Sequence, residues 1–307
     1  MLRTQPTWCI PTFIILLVGV VCPSHVAAAE PFCPRGTNPS PDVIWCDSFE
    51  DEDLGPNGTV AENYHEFDTD GGNHVRINYE HFHGNYALRA RYRAGTTGAG
   101  HFMRNFGRNP IGTQSHGQQD FREIYWRFYA KLETGFTGFP DKYTRGIIFA
   151  GPNWQQAIGA HLWADSNARD HLMLDPASWI DDQSRLTSTK WNDFENQMWL
   201  GAKRGVTALQ AGRWYCIEAH VKLNTPGQRD GVFEFWIDEN LEASRTNLDW
   251  VKSWTDYGIN SVFLSYYWNS PGSPREQERY VDALVISTQR IGCIGSVPRP
   301  PTRLNVR

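Results

Sequence analysis

The chain has 307 residues, of which 13% are aromatic and 21% are charged, and its formal net charge at pH 7 is −5. This length suits one large all-β domain or two small domains. The mild negative charge, without a basic stripe, excludes a typical nucleic-acid-binding protein.

The first 29 residues predict a secretory signal peptide. Arg3 precedes an apolar run at 13–21, and small residues at 27–29 resemble a cleavage site. The run is shorter than the ~20 residues that cross a bilayer, although an uncleaved anchor is the alternative. We expect a secreted protein, extracellular or periplasmic, with no membrane contact after cleavage.

Four cysteines follow the predicted cleavage point: Cys33, Cys46, Cys216 and Cys293. An even number of cysteines in a secreted chain predicts disulfides, with three connectivities open. We favour Cys33–Cys46, which closes a short Pro-rich loop, and Cys216–Cys293, which ties an internal strand to the last one. Free structural thiols are the alternative.

Residues 123–132 give the clearest strand signal. Ile124, Trp126 and Phe128 alternate there with charged and tyrosine side chains. Successive side chains of a strand point to opposite faces, so the apolar side predicts a core and the other side suits a sugar chain. Further strands are predicted at 43–50, 74–79, 86–93, 146–150, 157–163, 214–223, 231–237, 261–268 and 280–286.

No long stretch has the 3.6-residue period of a helix, and turns rich in Gly, Pro and Asn separate the strands. This pattern predicts an all-β fold, a two-sheet antiparallel β-sandwich. We expect an irregular Pro-rich lead-in at 30–42, a single domain at 43–295 and a C-terminal tail at 296–307. The segment 165–212 is less regular and predicts a long excursion over one face, and such loops are often functional.

Three segments resemble the concanavalin A-like jelly roll of polysaccharide lyases and glucanases. They are the strand at 214–224, the hairpin at 230–238, which is similar to a DGxxxxWxD motif, and the closing strand at 280–287. The resemblance extends from about Val43 to Ile294. It implies the jelly-roll fold and a polysaccharide partner, but lectin-like domains share the hairpin, so it does not define the activity.

Within this superfamily, laminarinase-type glucanases carry an ExDxxE strand, which is absent here. Alginate lyases carry an RxExR strand, a QxH strand and a late tyrosine strand. The partial counterparts here are Arg89 with Arg91, His161 and Tyr267. The first pair lacks the central glutamate, and Gly159 replaces the glutamine. The resemblance therefore concerns the strands on which these residues lie more than the exact motif residues of a lyase.

A polysaccharide lyase removes the proton α to a uronate carboxyl and expels the 4-linked sugar, so it needs a base, an acid and a partner for the carboxylate. His and Tyr suit proton transfer, and Arg binds a carboxylate bidentately. The expected catalytic residues are His161, Tyr267 and Arg91. The expected substrate-binding residues are Arg89, Arg127, Tyr125, Trp163 and Asn269. We expect His161, Tyr267 and at least one arginine to converge on one concave face and to bind an anionic extracellular polysaccharide.

Two other functions stay open. A glycoside hydrolase needs two carboxylates about 5–5.5 Å or 6.5–9.5 Å apart, and Glu123 and Glu218 lie on different strands that could bring them together. Glu218 alternates with His220, however, as on a solvated face. A non-catalytic lectin-like module would stack sugar rings on tryptophans in or near loops: Trp154, Trp163, Trp179, Trp191 and Trp199.

The proposed chemistry requires no cofactor, but a structural Ca²⁺ is an option. Asp47 and Glu50 lie at the first strand and Asp282 lies at the last, and these strands are neighbours in many jelly rolls. Ca²⁺ takes 6–8 oxygen ligands, so carbonyls and water would complete its shell. We expect a monomer.

Overall fold

The computed structural model describes residues 40–50, 64–269 and 271–295. Several predictions lie outside these residues: the signal peptide at 1–29, most of the lead-in at 30–42, the position of Cys33 and the tail at 296–307.

Sixteen strands form within the described residues. They are β1 (Val43–Asp47), β2 (Glu66–Asp68), β3 (His74–Ile77), β4 (Ala87–Tyr92), β5 (Gly98–Asn105), β6 (Glu123–Leu132), β7 (Lys142–Phe149), β8 (Gln156–Ala164), β9 (His171–Ser178), β10 (Met198–Trp199), β11 (Lys203–Ala208), β12 (Trp214–Lys222), β13 (Gly231–Ile237), β14 (Asn240–Leu248), β15 (Ser261–Tyr267) and β16 (Gln277–Ser287). Two short 3₁₀ helices lie between strands, at Asp70–Gly72 and Phe194–Asn196.

The strands make two sheets of eight, and all pairings within the described part are antiparallel. One sheet, which we call the β6 sheet, has the order β14-β13-β12-β6-β16-β4-β3, with β1 paired to β16. The other, the β8 sheet, has the order β10-β9-β8-β7-β15-β5-β2, with β11 paired to β9. The predicted all-β sandwich is confirmed.

The core lies between the two sheets. Trp126, Phe128, Ile217 and Val221 are completely buried, as their alternation predicts. Trp126 Nε1 donates a hydrogen bond of 3.1 Å to Oγ1 of Thr144 on β7, which joins the sheets directly. Burial of each large apolar side chain contributes ~1.5–3 kcal/mol, so this layer stabilises the sandwich.

A second apolar cluster lies on the outer face of the β8 sheet. Ile147, Phe149 and Phe263 form part of it, and Trp191 packs against it from the segment between β9 and β10. The Trp191 ring stacks on Phe149 with the ring centroids 5.6 Å apart. The segment predicted as an excursion does cover one face here, although it also contains β9, β10 and β11.

The disulfide between Cys216 and Cys293 is present and ties β12 to the segment that follows β16. This confirms the second predicted pairing. Cys46 is also disulfide-bonded, and its expected partner Cys33 lies outside the described residues. No helix in the described ranges has the length and apolar character needed to cross a membrane.

Candidate functional site

A cleft of about 580 Å³ opens on the outer face of the β8 sheet. That volume falls within the roughly 300–1,000 Å³ of small-ligand pockets. Strands β2, β5, β7, β8 and β15 form its floor and walls, together with the segment around Trp191. Most of its side chains are aromatic or charged, and the principal ones are Glu66, Asp68, Asp70, His101, Lys142, Arg145, Trp163, Trp191, Phe194, Phe263, Tyr267 and Asn269.

Arg145 lines the cleft from β7, opposite His161 of β8 and Phe263 of β15. Only 8% of Arg145 is exposed. Its guanidinium lies over the rings of Trp191 and Phe263, at 4.2 and 4.8 Å from their centroids. Nη1 donates a hydrogen bond of 2.9 Å to Oδ1 of Asn192.

No carboxylate forms a salt bridge with Arg145 in the described part of the chain. Burial lowers the pKa of this guanidinium to about 9. Buried charges in proteins are usually paired, because burial of an unpaired charge is costly. Arg145 therefore has the properties of a receptor for an anionic group supplied by a ligand.

Lys142 lies next to Arg145 in the cleft, at the start of β7. Its Nζ is 3.0 Å from the ring centroid of Trp163 on β8. Burial lowers the pKa of Lys142 to about 8, and repulsion by Arg145 acts in the same direction. Roughly a tenth of such amines are neutral at pH 7, so Lys142 can accept a proton near neutral pH.

Tyr267 faces Lys142 across the strand pair β15–β7. Both side chains line the cleft, and Tyr267 is 42% exposed. Directly opposed residues on neighbouring strands have Cβ atoms about 4.5–5.5 Å apart, which brings the amine and the phenol to one region. Asn269 lies just beyond β15 and lines the same end of the cleft, as does Trp163.

His161 lies beneath the cleft rather than in it, because its ring is completely buried. Nδ1 donates a hydrogen bond of 2.9 Å to the Asp175 carbonyl, so Nε2 carries the lone pair and has no partner in the described part. The ring packs between Trp163 and Trp199, with centroids 4.1 and 5.7 Å away. Burial, and then repulsion by Arg145, holds the pKa of His161 well below its usual value.

Gly159 provides the space that His161 occupies. A Cβ at position 159 would lie 2.8 Å from the Cε1 and Nε2 atoms of His161 and 3.3 Å from the Trp179 ring. The glycine that replaces the glutamine of the alginate-lyase strand therefore has a steric role here.

The opposite wall of the cleft is acidic. Glu66 and Asp68 lie on β2, and His101 of β5 lies between them, with ring nitrogens 3.2 Å from Glu66 and 3.7 Å from Asp68. Asp70 follows on the short helix and also lines the cleft. The cleft thus has a cationic wall on β7 and an acidic wall on β2.

The predicted arginines lie on the other sheet, so their expected convergence with His161 and Tyr267 is wrong. Arg89 and Arg91 belong to β4 and both contact Glu278, at 3.6 and 2.9 Å. Arg127 belongs to β6, is 1% exposed and lies over the Tyr129 ring. Their charges are used within the β6 sheet, so they cannot reach a sugar that is bound in the cleft.

Tyr125 is also on the β6 sheet, where it stacks on His220 with centroids 4.1 Å apart. His220 in turn contacts Glu123 at 2.8 Å and Glu234 at 3.2 Å. Glu218 is 2% exposed, so its expected solvated position is wrong. Its carboxylate accepts hydrogen bonds from the backbone N–H groups of residues 291 and 292, at 2.7 and 3.0 Å.

The three carboxylates expected to bind Ca²⁺ are occupied by hydrogen-bond donors instead. Asp47 accepts from the backbone N–H of Phe49 and from the Tyr64 hydroxyl, and Glu50 accepts from the backbone N–H groups of residues 85 and 86. Asp282 accepts from three backbone N–H groups, at 82, 83 and 283. Among the described residues, no three His, Cys, Asp or Glu side chains are grouped to hold a metal. Asp47, Glu50 and Asp282 therefore do not form a ready three-carboxylate cluster, and a structural Ca²⁺ that would also use carbonyls and water stays a prediction.

Lys142 and Arg145 are among the cleft residues that the sequence did not reveal, together with the acidic wall and His101. The predicted strand began at residue 146, one position after Arg145, whereas β7 begins at Lys142. Tyr143 and Thr144 face inward and are buried, so an apolar pattern extended only a few residues would have included both cations.

No protein-family model matches the sequence, and a comparison with curated protein sequences finds no significant match. Solved structures do match. The alginate lyase from Aplysia kurodai superposes with a TM-score of 0.56 at 14% identity, covering 80% of this chain and 99% of the other. An endo-β-1,4-glucuronan lyase from Trichoderma reesei gives 0.51 at 14% identity, over 74% and 91%.

An alginate lyase from a Chlorella virus likewise gives a TM-score of 0.51 at 14% identity, over 74% of this chain and all of the other. Likeness at this identity establishes the fold alone. The concanavalin A-like jelly roll shared by polysaccharide lyases and glucanases, which the sequence resembles, is therefore confirmed as the architecture.

Proposed function

We propose that this jelly-roll protein is a polysaccharide lyase that cleaves a uronate-containing glycan by β-elimination. The observation that carries the proposal is Arg145, a buried cation without a carboxylate partner in the described residues, next to Lys142 and Tyr267. The jelly-roll fold also occurs in proteins described as alginate and glucuronan lyases.

In this proposal Arg145 binds the uronate carboxylate through its planar fork. The bound carboxylate withdraws electron density from the adjacent carbon, so the proton on C5 becomes more acidic. Negative charge that develops on the carboxylate during proton removal is stabilised by the guanidinium. Preorganised groups of this kind usually make the largest single contribution to catalysis.

Lys142 acts as the base and Tyr267 as the acid. The neutral amine of Lys142 takes the proton from C5, and the electron pair of the broken C–H bond forms the C4–C5 double bond. The C4–O4 bond then breaks, and the hydroxyl of Tyr267 donates its proton to the departing oxygen. A water molecule returns the proton from the ammonium of Lys142 to the phenolate.

His161 is a positioning residue in this scheme. Its neutral ring supports Trp163, and Trp163 carries the amine of Lys142 on its face. The role expected from the sequence, direct proton transfer, would require solvent or substrate to reach a ring that is completely buried.

The remaining parts of the proposal concern the partner and the compartment. The ligand is an anionic polysaccharide, since the wall of the cleft on β7 carries Lys142 and Arg145 next to aromatic rings. The Cys216–Cys293 disulfide supports secretion, because disulfides persist in oxidising environments.

A non-catalytic sugar-binding protein is the second candidate. Phe194 and Trp199 favour it, because they are 57% and 49% exposed near the cleft and present flat surfaces on which sugar rings stack.

Absorbance at about 235 nm during incubation with a panel of uronate polymers separates these functions, because β-elimination creates an unsaturated sugar and hydrolysis or binding does not. The proposal expects a rise in absorbance that Tyr267→Phe and Lys142→Met abolish. New reducing ends without that absorbance would indicate hydrolysis. Polymer binding without any product would indicate a lectin, and either result would reject the lyase.

A further inference from the structure

The two walls of the cleft carry opposite charge. Lys142 and Arg145 form the cationic wall on β7, and Glu66, Asp68 and Asp70 form the acidic wall at β2. In the sheet order, β15 and β5 separate β7 from β2. Three strand spacings of about 4.8 Å put these walls roughly 14 Å apart, so different sugar units of one chain meet them.

The carboxylates of the acidic wall lack a cationic Lys or Arg partner in the described structure. No lysine or arginine there pairs with Glu66, Asp68 or Asp70. Side chains of Glu66 and Asp68 are 39% and 50% exposed, so both face the open cleft. His101 is the one basic group between them, and a single imidazole cannot neutralise three carboxylates.

The cationic wall defines which sugar unit is the uronate. Arg145 is more than nine-tenths buried, lacks a carboxylate and lines the cleft, so the carboxylate of the substrate belongs there. A second uronate at the acidic wall would place like charges next to each other, which disfavours that partner. An uncharged sugar instead donates hydroxyl hydrogen bonds to Glu66 and Asp68, and such charge-assisted bonds are strong.

We propose that the substrate is a mixed polymer, in which one unit is the uronate bound by Arg145 and the unit that reaches the wall of Glu66 and Asp68, farther along the same chain, is an uncharged sugar. The inference rests on the proposed lyase function and specifies its substrate class. Polymers made only of uronate are then poor substrates, because every unit carries a carboxylate and one of them meets the acidic wall.

The test compares kcat/KM at 235 nm on four unsulfated polymers at ~0.01 M salt, where the Debye length is about 30 Å. Hyaluronan and heparosan alternate a uronate with a neutral amino-sugar derivative, whereas alginate and polyglucuronate contain only uronate. We expect at least one alternating polymer to exceed both homopolymers by about tenfold or more, and the preference to shrink at ~1 M salt. Equal or faster cleavage of a homopolymer would overturn the inference and leave the lyase intact. Absence of unsaturated product from all four polymers would reject the lyase itself.

The double variant E66Q/D68N assigns the preference to the acidic wall. It keeps side-chain size and removes both charges, so the ratio of alternating to homopolymer kcat/KM should fall by about tenfold. Asp256→Asn is the matched control, because Asp256 is exposed and does not line the cleft, and its ratio should equal that of the native protein. An unchanged ratio in E66Q/D68N would contradict the inference.

Discussion

Replacement of Arg145 by methionine tests whether this arginine binds the ligand or stabilises the fold. Methionine fills much of the same space without a charge. We expect kcat/KM on a uronate polymer to fall by about 10²–10³-fold, which is the usual cost of losing one preorganised donor to a developing anion. Arg145→Lys keeps the charge but loses the fork, so its loss should be smaller.

The expected effect on stability is small. Burial disfavours the charge of Arg145 and lowers its pKa to about 9, whereas two cation–π contacts and one hydrogen bond, to Trp191, Phe263 and Asn192, favour the folded side chain. Methionine removes the cost of the buried charge and these contacts together. Arg145→Met should therefore change the free energy of unfolding by less than about 2 kcal/mol.

The assay combines urea unfolding with the rate of 235 nm absorbance. Arg91→Met is the matched control, because Arg91 was the arginine expected from the sequence and lies on the other sheet, paired with Glu278. It should keep near-native kcat/KM. Loss of activity in Arg91→Met with native activity in Arg145→Met would refute the assignment of the cleft. Loss of several kcal/mol of stability in Arg145→Met would show that the guanidinium is structural.

Three further predictions follow from the same structure. Activity should rise with pH through an apparent pKa near 8, because Lys142 must lose its proton to act as the base, and Lys142→Arg should remove that limb from the profile. Loss of the Cys216–Cys293 disulfide in a double alanine variant should lower the free energy of unfolding by about 4 kcal/mol in urea, since the bond closes a sequence separation of 77 residues; a loss under 1 kcal/mol would contradict this. Gly159→Ala should lower the free energy of unfolding in urea by about 1–3 kcal/mol, because the new methyl group meets His161. Gly98→Ala should leave that free energy unchanged, because a Cβ there meets no heavy atom within 4 Å.

Lys142 also links pH to stability. Its pKa falls from 10.5 to about 8 on folding, so between these values the unfolded chain binds more protons than the folded chain. Stability from this group therefore rises with pH across that window. The contribution of Lys142 to stability and the predicted activity both rise with pH in this range. A loss of rate above pH 8 therefore cannot be caused by the burial of Lys142.

Sequence periodicity was sufficient for ten of the sixteen strands and for their inward faces. The predicted strand at 123–132 has the same bounds as β6, and its core residues Trp126 and Phe128 are buried. The strands that were not anticipated are β2, β5, β9, β10, β11 and β14. Among these, β5 begins with a Gly-Ala-Gly run and β14 is a largely polar strand at the edge of its sheet, so neither has a strong apolar alternation.

The composition of the site could not be derived in the same way. Alternation tells whether a side chain points into the sandwich or away from it, but a sandwich has two outer faces. Which face a strand contributes to depends on pairing between distant segments, such as β6 with β12 and β7 with β15. Arg91 and Arg145 are both outward-facing arginines on apolar strands, and only the strand order separates them.

His161 illustrates the remaining limit of the sequence. It lies on a strand of the cleft, as expected, but its ring is buried beneath tryptophans instead of lining the cleft. Nδ1 of His161 must carry its proton to donate to the Asp175 carbonyl, which leaves Nε2 as an acceptor under Trp163 and Trp199. For Nε2 to reach a substrate proton, Trp163 would have to move off the His161 ring, and Lys142 rests on the ring of Trp163. The same movement would remove the amine from the cleft. Direct catalysis by His161 and base catalysis by Lys142 therefore exclude each other in one conformation. His161→Gln should then lower the rate through Lys142 and alter the pH at which the rate rises, whereas loss of a direct base would abolish turnover at every pH.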